Sequence, residues 1–348
     1  MEVKDFPKAT ADFDEIIARP SGKVKIYAFH NKGVVRAEAG DLQGAIELFT
    51  QVISIDPENR SAYSNRGLAR KKLGDLRGAV KDYTEAIRID PQLPDVYIMR
   101  GIAYKDLNDP QGAIEDYTQA IRLDSKNAGI YVIRGDARAD SGDLQSSIED
   151  YTQAIRLDPK YDAAYNNRGR IREKQGDLQG ASEDFTQAIR LDSKQAVFYY
   201  NRGIVRIKLN DQQRAVEDFT QAIRVDPKFA QAYYDRGLTR KDLGDLQGAI
   251  EDYDQTIRLD PKNAAAYNNR GNIRARSNDM KGSIEDFTQA IRFDPKNAVI
   301  YTNRGSARTI LGDKQGAIQD YQKAASLYLE QKDTGRYNAV LEAIKKLQ

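Results

Sequence analysis

The chain contains no cysteine and a single histidine, His30. Without thiols there can be neither a disulfide nor a thiolate metal site nor a cysteine nucleophile. His30 alone, with no phosphate-cradling glycine-rich loop elsewhere, supplies no acid-base or metal constellation, and a solvated imidazole is the expected state. No catalytic residue, metal ligand or cofactor site is expected, so the chain reads as a non-enzyme. No apolar run reaches the ~18 residues of a membrane span, and Met1 to Lys25 lacks the apolar stretch of a signal peptide. Membrane insertion is not expected, and the cytoplasm is the expected compartment, a removed export segment being the alternative. Excess charge of either sign is also missing: 54 basic side chains face 52 acidic ones, a net charge of +2. That balance argues against a nucleic-acid partner or an anionic membrane surface.

What the chain does have is a period. Glycine recurs every 34 residues at Gly33, Gly67, Gly101, Gly135, Gly169, Gly203, Gly237, Gly271 and Gly305, each preceded by Arg or, once, Lys. Nine such units run from Ile26 to Gln331 in a chain of 348 residues, which leaves no room for a second catalytic domain. A unit this short cannot bury its own apolar face and becomes stable by stacking on copies of itself. The mean hydropathy of -0.70 therefore belongs to helix faces that remain wet, not to disorder.

Each unit reads as two helices and two stops. In the seventh, Ala230 to Asn263, the first helix is predicted over about Gln231–Leu243 and the second over about Leu246–Leu259. Gly244 suits a left-handed helix end, Asp245 an N-cap, and Pro261 cannot continue a helix. The punctuation returns at Gly40-Asp41, Gly74-Asp75, Gly142-Asp143, Gly176-Asp177 and Gly312-Asp313, with Asn108-Asp109, Asn210-Asp211 and Asn278-Asp279 as variants. Leu246, Ala249, Ile250, Tyr253 and Ile257 form one apolar stripe of helical period, and Gly237 allows a neighbouring helix to come close.

Counting positions from Ile26, position 4 of each unit is Phe29, Tyr63, Tyr97, Tyr131, Tyr165, Tyr199, Tyr233, Tyr267 or Tyr301. Position 24 is Phe49, Tyr83, Tyr117, Tyr151, Phe185, Phe219, Tyr253, Phe287 or Tyr321. With the glycine at position 8, this pattern resembles the tetratricopeptide repeat, and the wording around it is similar to bacterial, especially cyanobacterial, members. The resemblance implies an all-α fold: a right-handed α-α superhelical solenoid of nine repeats whose first helices line a concave groove. The expected organisation is a lead-in or cap over residues 1–25, with Phe13, Ile16 and Ile17 before a break at Pro20-Ser21-Gly22, then repeats over 26–331. A capping helix over 332–348 follows, its apolar face formed by Tyr337, Val340, Leu341, Ile344 and Leu347.

The chain departs from that family's pattern at positions 7 and 11, where Leu and Tyr give way to Arg202 and Arg206, Arg236 and Arg240, Arg270 and Arg274, Arg304 and Arg308. Asp82, Asp116, Asp150, Asp184, Asp218, Asp252, Asp286 and Asp320 hold position 23, so an internal Arg–Asp ladder is expected rather than columns that grip phosphate. Repeats four and five, with Ser141, Ser146, Ser147, Gln175 and Ser182, are expected to be the thinnest in burial.

The remaining face of the first helices is the candidate site. Asn31, Asn65, Asn167, Asn201, Asn269 and Asn303 fill position 6, and their amides can either hold a peptide backbone or bond to neighbouring helices. Two apolar patches interrupt them: Ile98, Met99, Ile102, Val132 and Ile133, then Tyr200, Ile204, Ile207, Tyr234 and Leu238. The lysines and arginine that clamp the terminal carboxylate of large heat-shock chaperones in some members are missing at the required positions. The implied function is a protein-interaction scaffold that binds an extended or helical segment in the groove, as a monomer or weak homo-oligomer. The alternative is an architectural solenoid that self-assembles through its ends or patches.

Overall fold

The computed structural model of the protein describes residues 13 and 22–348. Ile16, Ile17 and the break at Pro20-Ser21 lie outside the described residues. Among the described residues all regular structure is helical, nineteen helices joined by turns. Two compact units meet at Asp177 and Leu178. The first holds α1 (Gly22–Glu38), α2 (Leu42–Ile55), α3 (Arg60–Lys72), α4 (Leu76–Ile89), α5 (Pro94–Asp106), α6 (Pro110–Leu123), α7 (Ala128–Asp140), α8 (Leu144–Leu157) and α9 (Asp162–Gln175). The second holds α10 (Leu178–Leu191), α11 (Ala196–Lys208), α12 (Gln212–Val225), α13 (Ala230–Asp242), α14 (Leu246–Leu259), α15 (Ala264–Arg276), α16 (Met280–Phe293), α17 (Ala298–Ile310), α18 (Lys314–Glu330) and α19 (Thr334–Leu347).

The turns follow from residue chemistry. Gly40, Gly74, Gly142, Gly176, Gly244 and Gly312 have φ between +83° and +90°, and Asn108, Asn210 and Asn278 adopt the same region at 61° to 64°. Lys332 joins them at 60° although nothing in its side chain favours that conformation. Within each unit the aspartate after a left-handed residue then caps the next helix: the Asp75 carboxylate accepts from the Gly78 N–H at 2.9 Å, and Asp245 does so from Gly248 at 2.9 Å. Asp333 accepts from the Arg336 N–H at 3.0 Å and starts α19 in the same way.

Within the hairpins of each compact unit the position-24 ring lies against the position-8 glycine. A methyl group at Gly67 would stand 2.8 Å from the Tyr83 ring, and one at Gly203 would stand 2.7 Å from Phe219, so only glycine admits that approach. Small residues such as Ala79, Ala113, Ala215 and Ala249 complete a dry seam between the paired helices. Successive hairpins repeat this seam, and core clusters such as Ala79, Tyr83, Ala86, Val96 and Ala103 span one hairpin and the next. Val340 and Ile344 of α19 are buried beside Tyr301, Leu327 and Tyr328, with Tyr337, Leu341 and Leu347 packed around them.

Candidate functional site

The arginines of positions 7 and 11 point inward. Arg202 grips Asp218 with two parallel bonds, Nε at 3.0 Å and Nη2 at 2.7 Å, and Arg206 Nη1 reaches the same carboxylate at 2.8 Å. The arrangement recurs as Arg66 and Arg70 on Asp82, Arg134 and Arg138 on Asp150, Arg236 and Arg240 on Asp252, and Arg304 and Arg308 on Asp320. Arg270 and Arg274 share Asp286, and Arg100 holds Asp116 without a second arginine, because Tyr104 occupies that position. These carboxylates are buried, and burial pushes those of Asp116 and Asp286 above the usual range even as their arginines pull them down. Such charges persist because they are paired and hydrogen-bonded. The columns are therefore internal ion pairs and not phosphate grips.

The position-7 guanidinium groups make a further bond that the sequence pattern did not reveal. Nη1 donates to a threonine on the second helix of the preceding repeat: Arg66 to Thr50 at 3.1 Å, Arg100 to Thr84 at 3.0 Å, Arg236 to Thr220 at 3.0 Å, Arg304 to Thr288 at 3.1 Å; at Arg270 the acceptor is Asp254, which stands in the threonine's place. The same group lies over the position-4 tyrosine of its own helix, as Arg236 does over Tyr233 at 5.6 Å. One side chain thus joins three helices of two repeats. The visible signal was a threonine repeated at exposed second-helix positions without any apolar role.

On the opposite face of the first helices, the position-6 amides bond to the preceding repeat. Asn65 Nδ2 meets His30 Nε2 at 3.2 Å, Asn167 donates to Asp136 at 3.1 Å, Asn269 to the Tyr234 hydroxyl at 3.1 Å, and Asn303 to Asn268 at 3.1 Å. Asn31 and Asn201 are half-buried on α1 and α11. At these four places the amide clasps neighbouring helices, the structural of the two uses open to it.

Packing divides the apolar residues. Val132 is a correction: it is only 5% exposed, in a core cluster with Tyr151, Ala154 and Ala164, because α9 stacks over it. Ile98, Ile102 and Ile133 lie half-buried against the Tyr117 cluster and Met99 against the Tyr83 cluster, so the first patch is largely inter-repeat core. In the second patch the Tyr200 hydroxyl donates to Asp235 at 2.8 Å and its ring meets Phe229 at 4.9 Å, while Tyr234 packs on the Tyr253 cluster. Ile204, Ile207 and Leu238 remain half-buried on the first-helix face without joining a core cluster.

Clefts open between successive first helices. In the first unit a cleft of about 480 Å³ is lined by Lys105 of α5, Asp136 and Asp140 of α7, and Asn167, Arg170 and Lys174 of α9. At its floor Asp136 Oδ1 accepts from the Tyr151 hydroxyl at 2.7 Å and from Asn167. In the second unit a cleft of about 310 Å³ is lined by Lys241, Asn269, Asn272, Ile273, Arg276, Val299 and Asn303. Neither the asparagine column nor the patches pointed to Lys105, Asp136, Arg170, Lys241 or Arg276. Among the described residues no group of three or more His, Cys, Asp and Glu side chains is placed to hold a metal ion, and no helix is long and apolar enough to cross a membrane.

Stacked hairpins of this kind, with Gly against an aromatic from Gly33–Phe49 to Gly305–Tyr321, define a helical-repeat protein of the interaction type. The chain belongs to the tetratricopeptide repeat family. Residues 33–74, 69–108, 135–176 and 237–278 match the description "TPR repeat", and residues 94–127, 162–195, 196–229, 264–297 and 298–331 match tetratricopeptide repeats individually. No curated protein matches the chain. Solved structures that it resembles include the C-terminal part of a TPR repeat-containing protein from Cytophaga hutchinsonii (16% identity, 68% of this chain and 97% of that one, TM-score 0.59). A tetratricopeptide repeat protein from Parabacteroides merdae matches at 20% identity over 73% of this chain and 98% of that one, with a TM-score of 0.51. PilF of Pseudomonas aeruginosa matches at 20% identity over 62% and 97%, with a TM-score of 0.51. At these identities the likeness establishes the fold alone. Members of the family typically act by holding other proteins rather than by catalysis.

Proposed function

We propose that the chain is a non-catalytic adaptor that holds an extended or helical protein segment along the face formed by its first helices, with α19 closing the C-terminal end of the array. The observation that carries this reading is a division of labour within each repeat. From the second repeat onward positions 7, 8, 23 and 24 keep the same residue types for ion pairs and aromatic seams, whereas the first-helix face changes from repeat to repeat and is where the clefts open. A surface that varies while its support does not is suited to a ligand of irregular chemistry. The outward face of α19 exposes Asn338, Glu342, Lys345 and Lys346, which suits water better than another repeat and speaks against assembly through that end.

Selection of displayed random peptides on the purified chain tests the reading. Tyr200 and Tyr234 are poor probes because each supports neighbouring structure. Ile204→Ala combined with Leu238→Ala is expected to weaken the selected peptides by about ten-fold or more, as loss of central apolar contacts does. Gln187→Ala with Gln221→Ala on the second helices is expected to change nothing. The reverse ranking would move the site to the second helices and end the groove proposal.

A further inference from the structure

The first helices carry a second charge register. Position 12 of one repeat faces position 13 of the next, a separation of 35 residues, and in the first unit this closes ion pairs: Lys71 with Asp106 at 2.9 Å and Lys105 with Asp140 at 3.3 Å. The same register in the second unit brings Lys241 to Arg276, two cations. Both line the 310 Å³ cleft, together with Asn269, Asn272 and Asn303, and no carboxylate is among its lining residues. Among the described residues Lys241 pairs only with Asp242, its own neighbour on α13, at 3.3 Å. Arg276, exposed at the end of α15, has no ion-pair or hydrogen-bond partner among the described residues, and neither has the Asn272 amide.

Like charges held at a position that elsewhere closes on an ion pair are disfavoured unless a counter-charge arrives from outside. From this charge complementarity we infer that the cleft between α13, α15 and α17 receives an acidic side chain, Asp or Glu, of the bound protein segment. The inference rests on the proposed groove function and gives its ligand a chemical class. A carboxylate matches the site in detail: the Arg276 guanidinium offers a planar pair of donors, the Asn272 amide a third, and Lys241 a mobile ammonium. Val299, 38% exposed at the rim, provides apolar surface for the methylenes that carry the carboxylate. The mixed cleft of the first unit, where Asp136 and Asp140 stand among the cations, has no such preference.

The test is an NMR titration of the full chain with a blocked six-residue peptide alternating Gly and Glu, its Gly and Gln counterpart, and inorganic phosphate. The Glu peptide is expected to move the amide resonances of Asn269, Asn272 and Asn303 and to bind at least ten-fold more tightly than the Gln peptide, with affinity falling as salt is added. Arg276→Asp recreates the Lys105–Asp140 arrangement at this junction; it is expected to abolish Glu-peptide binding without lowering the melting temperature. Equal binding of the Glu and Gln peptides in the cleft overturns the acidic preference while leaving the groove in place. Shifts confined to the second helices overturn the groove reading itself. Phosphate that moves these amides while the Glu peptide does not makes the site one for free oxyanions and overturns the assignment to a protein side chain, as does undiminished binding by Arg276→Asp.

Discussion

The inward and first-helix faces of these repeats are built from the same residue types and used in opposite ways. Inward, Arg and Asp are spent on one another: Asp218 is reached by Arg202 and Arg206 at 2.7 and 2.8 Å and is almost wholly buried. On the first-helix face, Lys, Arg, Asp and Asn meet in clefts at the surface, and their pairing differs from junction to junction. The comparison separates charge that specifies the stacking of helices from charge left for something else. The periodic pattern alone marks which is which, since from the second repeat onward the inward set keeps Arg at position 7 and Asp at position 23.

The largest effect expected on the inward side is Asp218→Ala, which strands two partly buried guanidinium groups and should destabilise the array by about 3–5 kcal/mol in urea melts. Replacing Asp218, Arg202 and Arg206 together by Leu should recover much of that loss, because a buried ion pair is worth little against apolar residues of similar size. A single substitution no more costly than Gln187→Ala would erase the distinction between the two faces. A smaller and signed effect is expected at position 24. The Tyr253 hydroxyl is buried without a hydrogen-bond partner among the described residues, whereas that of Tyr151 donates to Asp136 at 2.7 Å. Tyr253→Phe should therefore be neutral or stabilising by about 1 kcal/mol, and Tyr151→Phe should destabilise by about the same amount. Thermal melts giving both variants the same sign would remove the Asp136 bond from the account.

The smallest expected effect is a pH dependence on the first-helix face of α1. Burial lowers the pKa of His30 below its ordinary 6.5, and the neutral ring accepts from Asn65. The unfolded chain then binds the proton more readily than the folded one. This contribution to stability is complete above pH 6.5 and is lost as pH falls below it, with a slope of at most about 1.4 kcal/mol per pH unit. His30→Gln should flatten that part of the stability profile between pH 6.5 and 5, and an unchanged slope would assign the effect to other groups.

The helices, their turns and the Arg–Asp pairing were legible because they depend on local spacing: a glycine or asparagine before an aspartate sets a turn, and positions 7 and 23 of one hairpin meet whatever surrounds it. The bond from Arg66 to Thr50 was not, since it depends on how one hairpin seats on the next. Val132 failed for the same reason. Position 5 lies at the edge between groove and seam, and the stacking of α9 decides its exposure. The Lys241–Arg276 conflict was in the sequence but became readable only once Lys71–Asp106 and Lys105–Asp140 had shown which positions face each other.

The arginine that bridges repeats also has a consequence for how such a chain can change length. Arg236 finds its aspartate 16 residues ahead, at Asp252, and its threonine 16 residues behind, at Thr220. If one whole period, 196–229, were cut out, the residue standing 16 places before Arg236 would be Thr186, again a threonine. Every bond has a substitute in the same register, so the array behaves like a ruler that can be shortened or extended by whole divisions. An excision of one residue more or fewer would offer Arg236 a different side chain from α10 at that place. Gene rearrangements that respect the period are thus the ones whose products can fold, and the bridging guanidinium enforces the unit in which the molecule is counted.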